Sequence, residues 1–193
     1  VRSDRHGKVE VLADKWEEKR LNSPNDIVVR RDGHAYFTDP AFGGAEEKRE
    51  LDFYGVFHIA PRGKVDVAAR WKTRPNGIAL TADGKMLYVA NADERTIHAF
   101  DLDRAGAATN GRVVLRDIEG PPDGIKLDEK GNLYVAARQL QVYSPKGVRI
   151  AAFELGETPS NCAFGDPDFG ALYITARTSV YRIRLDVKGA IQH

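Results

Sequence analysis

Four stretches of the chain repeat one order of polar and apolar positions. Each begins with a proline and a polar pair, continues with a short apolar run, and reaches a second apolar run after a turn. The four repeats begin at Pro24, Pro75, Pro122 and Pro159. In the first three repeats, Asp-Gly or Lys-Gly pairs separate the two runs, at positions 32–33, 83–84 and 130–131. Such pairs favour tight turns between antiparallel strands, and almost nothing between them has a helical period, so the pattern predicts an all-β chain.

Each repeat is interpreted as four short strands. The first is a continuous apolar run, and a tyrosine lies near the centre of the second, at Tyr36, Tyr88, Tyr134 and Tyr173. Polarity rises from the first strand to the fourth. A four-stranded repeat of roughly 40 to 50 residues with a buried first strand is typical of a β-propeller blade, whose first strand lies innermost. The predicted fold is therefore a β-propeller of four-stranded antiparallel blades, with about four blades present of an expected six.

The repeats divide a single predicted β-propeller domain, residues 1–193, into four blades. Their approximate bounds are 22–72, 73–119, 120–157 and 158–193. Residues 1–20 are interpreted as the remnant of a preceding blade, with Lys8 to Asp14 as its outer strand, and we expect the chain to be truncated at its N-terminus. Because each of six blades turns the chain by roughly 60°, four blades predict an open arc with an unpaired sheet edge and exposed apolar residues beside the gap.

Composition and charge narrow the classes of function. The chain has 193 residues, 42% of them hydrophobic and 30% charged, as expected for one compact soluble domain. A net charge of +1 without a basic tract argues against a nucleic-acid partner, and no apolar run approaches the ~18 residues of a membrane span. A single cysteine excludes an internal disulfide, and the compartment stays open between cytoplasmic and periplasmic or secreted.

Polar residues stand at the start of each predicted inner strand. Positions in the same register of successive blades lie on a ring about the propeller axis, so Asn25, Asn76, Asp123 and Asn161 are expected to converge at one mouth of the central channel. Amide and carboxylate oxygens are the ligands that hard cations such as Ca²⁺ and Mg²⁺ prefer, which predicts a metal site. The alternative is that each polar pair only turns the chain, since Asn and Asp cap their own backbone.

Four motifs together resemble the gluconolactonase/senescence-marker-protein (regucalcin) family of six-bladed propellers, above all its bacterial gluconolactonase branch: SPNDIVVRRDGHAYFTDPAFG, RPNGIALTADGKMLYVAN, PPDGIKLDEKGNLYVAA and PSNCAFG. The resemblance implies that Asn76 and Asp123 bind a divalent ion, commonly Ca²⁺, with Mg²⁺, Mn²⁺ and Zn²⁺ as alternatives. It implies that Asn25 is a further ligand or a substrate contact, with Asp26 beside it. In that family a glutamate from the first blade completes the metal shell. It has no counterpart here, so we expect an incomplete shell in the isolated chain.

Such a site predicts a hydrolase of sugar lactones or related small esters. A divalent ion would polarise the lactone carbonyl or activate water, and Asp123 is predicted to be the catalytic residue that accepts a proton from the attacking water. The expected substrate contacts are Asn25, Asp26 and Asn161. Two alternatives stay open: a non-catalytic propeller that serves as an interaction platform, and a propeller esterase or organophosphate hydrolase with nearly the same ligands.

Several other polar features are interpreted separately from this site. The long charged segment Pro40 to Gly55 is predicted either to form a rim over the channel mouth or to be a solvated loop. The five histidines are scattered without ligand spacing. Structural roles are predicted for turn caps at Asp39 and Asn91, for surface or half-buried histidines at His58 and His98, and for a buried Cys162.

Overall fold

The computed structural model describes residues 1–190, and nearly all of its regular structure is β-strand. Two short antiparallel ribbons come first: β1 (Arg2–Ser3) with β2 (Val9–Glu10), and β3 (Lys15–Trp16) with β4 (Lys19–Arg20). Four antiparallel sheets follow, arranged as the blades of a β-propeller. In the described part of the chain, no helix has the length and apolar character needed to cross a membrane.

The strands of each sheet are neighbours in chain order. Blade 1 contains β5 (Ile27–Val29), β6 (Ala35–Asp39), β7 (Tyr54–Ile59) and β8 (Val65–Trp71). Blade 2 contains β9 (Pro75–Leu80), β10 (Met86–Asn91), β11 (Thr96–Leu102) and β12 (Ala108–Leu115). Blade 3 contains β13 (Ile125–Leu127), β14 (Leu133–Ala136), β15 (Leu140–Tyr143) and β16 (Arg149–Phe153). Blade 4 contains β17 (Pro159–Gly165), β18 (Ala171–Ala176) and β19 (Val180–Arg184), so among the described residues it has three of the four expected strands.

The predicted turns lie between the first and second strands of blades 1 to 3. Gly33, Gly84 and Gly131 have φ angles of 91°, 65° and 77°, which glycine adopts without steric cost. Each donates its N–H to the carbonyl three residues earlier, at 2.9, 2.9 and 3.0 Å. The equivalent turn of blade 4 places Phe169 at a φ of 54°, and its N–H donates to Asp166 O at 3.0 Å.

Hydrophobic clusters join each blade to the next. Ile78, Leu80 and Leu87 of blade 2 pack with Tyr36 and Val56 of blade 1. A second cluster joins blades 2 and 3, and a third joins blades 3 and 4. On its other side, blade 1 is covered by Leu12, Ala13 and Trp16 of the N-terminal segment. The core is therefore a row of interfaces between sheets, in which the inner strands are held side by side.

The inner strands are not equally buried. All six residues of β9 are buried, as the sequence predicts for a first strand. In β5, Ile27 and Val29 are 49% and 59% exposed, so the expectation of a buried first strand is wrong for blade 1. The cause is packing: β5 lies against β6 and against β9 of blade 2, while its remaining surface faces open space.

The two ends of the chain differ in their pairing. Within Lys8 to Asp14, strand structure is limited to β2, which pairs with β1. No strand pairing joins blade 1 to blade 4 within residues 1–190, and no N-terminal strand completes the last sheet there. At the other end, Gly189 bridges to Asp128 and the Ala190 N–H donates to Leu127 O at 2.9 Å, so this segment returns to the inner strand of blade 3.

Candidate functional site

Backbone hydrogen bonds join neighbouring inner strands at their first residues. The Gly77 N–H donates to Asp123 O at 3.1 Å, and the Gly124 N–H donates to Ser160 O at 2.9 Å. A Cβ on Gly77 would collide with Asp123 O, and one on Gly124 would collide with the Asn161 side chain. Glycine is required at both positions because two strands meet there without room for a side chain.

Thr38 replaces this direct bond between blades 1 and 2. Asp26 stands where blades 2 and 3 have glycine, and its N–H donates to Thr38 Oγ1 at 3.2 Å. The same hydroxyl donates to Asn76 O at 2.7 Å. Thr38 is fully buried. One side chain therefore ties the first two ring positions together, a role that the sequence pattern did not reveal.

Asn76 and Asp123 are in contact. Asn76 is buried, and its Oδ1 has no hydrogen-bond partner within the described residues. Its Nδ2 lies 3.5 Å from Pro122 O. Burial raises the pKa of the Asp123 carboxyl, a hydrogen bond from the Asn76 side chain opposes that rise, and the negative charge of Asp26 adds to it. The pair thus offers a buried, unused amide oxygen beside a partly desolvated carboxylate.

The Asp26 carboxylate links three blades. Its Oδ1 accepts the N–H of Ile27 at 2.8 Å, and its Oδ2 accepts the N–H of Ile78 in blade 2 at 3.2 Å. The Lys126 ammonium of blade 3 lies 3.8 Å from Oδ2. Asp26 is therefore fixed by its neighbours on the inner side of the ring, and Lys126 is a charged residue of this region that the sequence reasoning missed.

Asn25 lies just before the inner strand β5 of blade 1. Its N–H donates to Thr38 O at 2.9 Å, and the residue is exposed. It lines a separate cavity of about 240 Å³ together with Pro24, Leu12 and Ala13. The structure thus brings together Asn76 and Asp123, with Asp26 close by, and both Asn25 and Asp26 border the cavity between blade 1 and the N-terminal segment.

The fourth ring position belongs to Ser160, which corrects the predicted place of Asn161. Ser160 O accepts the Gly124 N–H as Asp123 O accepts the Gly77 N–H, so these residues share a register. Asn161 Oδ1 accepts its neighbour's N–H, from Cys162 at 2.8 Å, as Asp26 Oδ1 accepts the Ile27 N–H in blade 1. The Pro-Ser-Asn sequence allowed both alignments. A substrate contact by Asn161 stays a prediction.

A cavity of about 420 Å³ lies along the inner strands. All four blades line it, through residues that include Val28, Ala79, Lys126 and Ala163. The returning segment at Gly189 and Ala190 also lines it. Lys126 connects the two regions, because it faces the cavity and pairs with Asp26.

The donor chemistry of the ring fits a hard divalent cation. An unpartnered, buried amide oxygen costs free energy unless something binds it, and the Asn76 Oδ1 is such an atom. The adjacent Asp123 carboxylate supplies a negative charge. Within residues 1–190 no three His, Cys, Asp or Glu side chains come together as a metal cluster. A cation would therefore depend on a mixed set of amide and carboxylate oxygens, as Ca²⁺ accepts.

The segment from Pro40 to Gly55 follows β6 on the ring side of blade 1. It contains a 3₁₀ helix (Gly43–Lys48) and is anchored by the buried Leu51 and Phe53. The Arg74 guanidinium, next to Pro75 of β9, lies 5.0 Å from the centre of the Phe42 ring. The loop is thus packed beside the start of an inner strand and not only solvated.

The predicted turn caps are confirmed. Asp39 accepts the N–H groups of Asn22 and Ser23, both at 2.8 Å. Burial raises the pKa of Asp39 to about 6, against the effect of those two hydrogen bonds. Asn91 Oδ1 accepts the Glu94 N–H at 3.1 Å.

Two of the histidines are neighbours, which the sequence did not predict. His34 Nδ1 and His58 Nε2 are 2.6 Å apart, and both residues are buried, so the prediction of a surface or half-buried His58 is wrong. Burial lowers the pKa of His58, and the charge on His34 acts in the same direction. His98 is half-buried and Cys162 is buried, as predicted.

Comparison with known proteins places this arrangement in a family. The family model described as "SMP-30/Gluconolactonase/LRE-like region" matches residues 1–178. A gluconolactonase of Zymomonas mobilis is 34% identical over 93% of this chain, and a regucalcin of Bos taurus is 28% identical over 94%. The chain spans 55% and 62% of the lengths of these two relatives.

Solved structures agree with the sequence relatives. A putative gluconolactonase superposes with a TM-score of 0.87 at 30% identity, covering 98% of this chain and 67% of that one. A gluconolactonase of Xanthomonas campestris superposes with a TM-score of 0.86 at 32% identity, covering 95% of this chain and 64% of that one. On its repeats, its fold and this match over residues 1–178, the chain belongs to the SMP-30/gluconolactonase/LRE-like region family of β-propellers.

Proposed function

We propose that this protein hydrolyses sugar lactones with the help of a divalent cation, Ca²⁺ foremost. The observation that carries the proposal is the buried Asn76 Oδ1, which lacks a partner within residues 1–190 and lies beside Asp123 at the start of the inner strands. Membership of a family with gluconolactonase relatives supports the reaction class. Asn76, Asp123 and Asn25 would hold the cation, which would polarise the lactone carbonyl.

Proton transfer and substrate orientation would be carried out by the chain's own residues. Water attacks the lactone carbonyl carbon, and Asp123 accepts the proton that the water loses. The bond between that carbon and the ring oxygen then breaks, and the ring oxygen takes up a proton to give a hydroxy acid. Asn25, Asp26 and Asn161 would orient the substrate. The Asn76 amide does not titrate, so Asn76 would bind the cation and orient it without acting as a base.

An amino-acid substitution at the predicted general base tests the role of Asp123. Asp123→Asn keeps the shape but removes the charge and the proton acceptor, so kcat for glucono-1,5-lactone is expected to fall by roughly 10²-fold or more. Asp117→Asn alters an exposed carboxylate six residues earlier in the chain and is the matched control, with unchanged kcat. Initial rates on the full chain measure both. An unaltered kcat in Asp123→Asn would mean that another residue is the general base.

Chelation tests the cation separately. EDTA should abolish turnover by the full-length protein, and added Ca²⁺, Mg²⁺, Mn²⁺ or Zn²⁺ should restore it to differing degrees. Undiminished turnover after exhaustive chelation contradicts the metal requirement. The same assay with an aryl ester and an organophosphate triester separates a lactonase from the related propeller hydrolases. No turnover of any of these substrates by the metal-loaded full-length protein would favour the interaction platform.

A further inference from the structure

The ammonium group of Lys126 places a positive charge in the cavity along the inner strands. It is the central residue of β13, its side chain is 29% exposed, and it lines the cavity of about 420 Å³. Among the described lining residues it is the charged one, and the rest are apolar or glycine. A cation in such surroundings interacts more strongly with an acceptor than it would in bulk water.

Its hydrogen-bond partners leave capacity for a ligand. An ammonium group has three N–H donors. One bonds to Ile125 O at 2.9 Å, and the nearest carboxylate oxygen, Asp26 Oδ2, is 3.8 Å away, beyond hydrogen-bond length. Both Asp26 oxygens already accept backbone N–H groups, of Ile27 and Ile78. Asp26 therefore keeps the ammonium in place without using all of its donors.

The ligand that this arrangement suits is a small carboxylate. A carboxylate accepts charge-assisted hydrogen bonds from ammonium groups, which are roughly twice as strong as neutral ones. The cavity has the volume of a small-molecule site. Hydrolysis of a sugar lactone produces such a ligand, because the lactone carbonyl becomes the carboxylate of a sugar acid.

We propose that Lys126 is a specificity-determining residue that binds the carboxylate of a sugar acid in the inner-strand cavity. The proposal rests on the proposed function for the source of that anion, and on the position of Lys126 for its binding.

Equilibrium binding tests the proposal without any turnover. Gluconate and the uncharged polyol glucitol are titrated calorimetrically into the full chain in EDTA. Gluconate is expected to bind about tenfold more tightly than glucitol, in line with one charge-assisted hydrogen bond. Lys126→Met should remove this difference and Lys126→Arg should keep most of it. The control Lys130→Met, an exposed lysine four residues along, should bind both ligands as the unaltered chain does. Lys126→Glu should bind gluconate less well than glucitol.

The contrary outcomes are distinct. An undiminished preference for gluconate in a folded Lys126→Met variant, checked by circular dichroism, would overturn the proposal. So would gluconate binding that needs Ca²⁺ and ignores Lys126, because the anion would then lie on the cation. If lactone hydrolysis fails while Lys126-dependent gluconate binding persists, the proposed function falls and this assignment stands. If hydrolysis succeeds, Lys126→Met should also raise the inhibition constant of gluconate about tenfold.

Discussion

The hydroxyl of Thr38 accepts the Asp26 N–H and donates to Asn76 O, so its loss leaves two buried backbone groups without partners. We predict that Thr38→Val, which keeps the shape, lowers the free energy of unfolding by about 1–3 kcal/mol and weakens Ca²⁺ binding. Thr38→Ser should restore both, because it retains the oxygen. Urea denaturation and Ca²⁺ titration measure the two effects. Unchanged Ca²⁺ affinity in Thr38→Val would mean that β9 alone positions Asn76.

The buried pair of His34 and His58 makes stability depend on pH. Burial lowers the folded pKa of His58 below its usual 6.5, so the unfolded chain binds more protons between the two values. Stability is therefore present above about pH 6.5 and is lost as the pH falls towards the folded pKa, by at most about 1.4 kcal/mol per pH unit for one proton. His58→Gln should flatten this slope in urea denaturation between pH 7.5 and 5. His6→Gln, at an exposed histidine, should keep it.

Individual residues also show where sequence reasoning stops. Asn76 and Asp123 could be predicted as neighbours because each starts an inner strand in a repeated register. Thr38 and Lys126 could not, since each has a partner in another blade and no repeat marks them. Ser160 and Asn161 were exchanged because a proline followed by two polar residues fits two registers, and the backbone bond to Gly124 decides between them.

At the scale of elements, the contact between neighbouring inner strands depends on glycine. Gly77→Ala would drive a Cβ into Asp123 O, so we predict a loss of about 1–3 kcal/mol of stability together with weaker cation binding at the displaced ring. Gly44→Ala is the control, because an added Cβ there meets nothing within 4 Å. Chemical denaturation of both variants checks the prediction. Equal stability of the two would show that β9 and β13 can move apart freely.

Strand positions could be predicted where an apolar run lies on each side of a turn. The burial of individual residues could be predicted less well, because it depends on packing between blades and loops. The Asp-Gly and Lys-Gly pairs predicted three turns, and glycines adopt the positive φ angles there. The exposure of Ile27 in β5 was not predictable, because an apolar run does not state which neighbours will cover it. The burial of Leu51 and Phe53 was also not predictable, because they belong to a charged loop whose composition suggests exposure to solvent.

At the scale of the whole molecule, blades 2 and 3 each have a packed blade on both sides, whereas blade 4 packs on blade 3 alone within residues 1–190. Repeats that contact only their neighbours lose structure most readily at the ends. We predict that amides of β10 and β14 exchange with deuterium more slowly than those of β18, although all three are second strands. Native-state hydrogen exchange measures this, and equal protection would indicate unfolding as a single unit.

The architecture and the family could be predicted from the sequence because four similar segments can be compared with one another within one chain. The structure of the N-terminal segment could not be predicted in this way. A full outer strand was expected at Lys8 to Asp14, whereas only the two-residue strand β2 forms there, paired with β1.

The loop between β11 and β12 reaches from blade 2 into blade 1. There Gly106 accepts the Tyr36 hydroxyl at its carbonyl oxygen, at 2.9 Å, and any Cβ on it would strike the rings of His34 and His58. This contact constrains evolutionary change at position 106 in two ways. A larger residue there would meet both imidazoles, and it would also have to adopt a φ of 88°, which only glycine adopts without steric cost. Exchange of the histidines for smaller residues would therefore remove the clash but not the backbone strain.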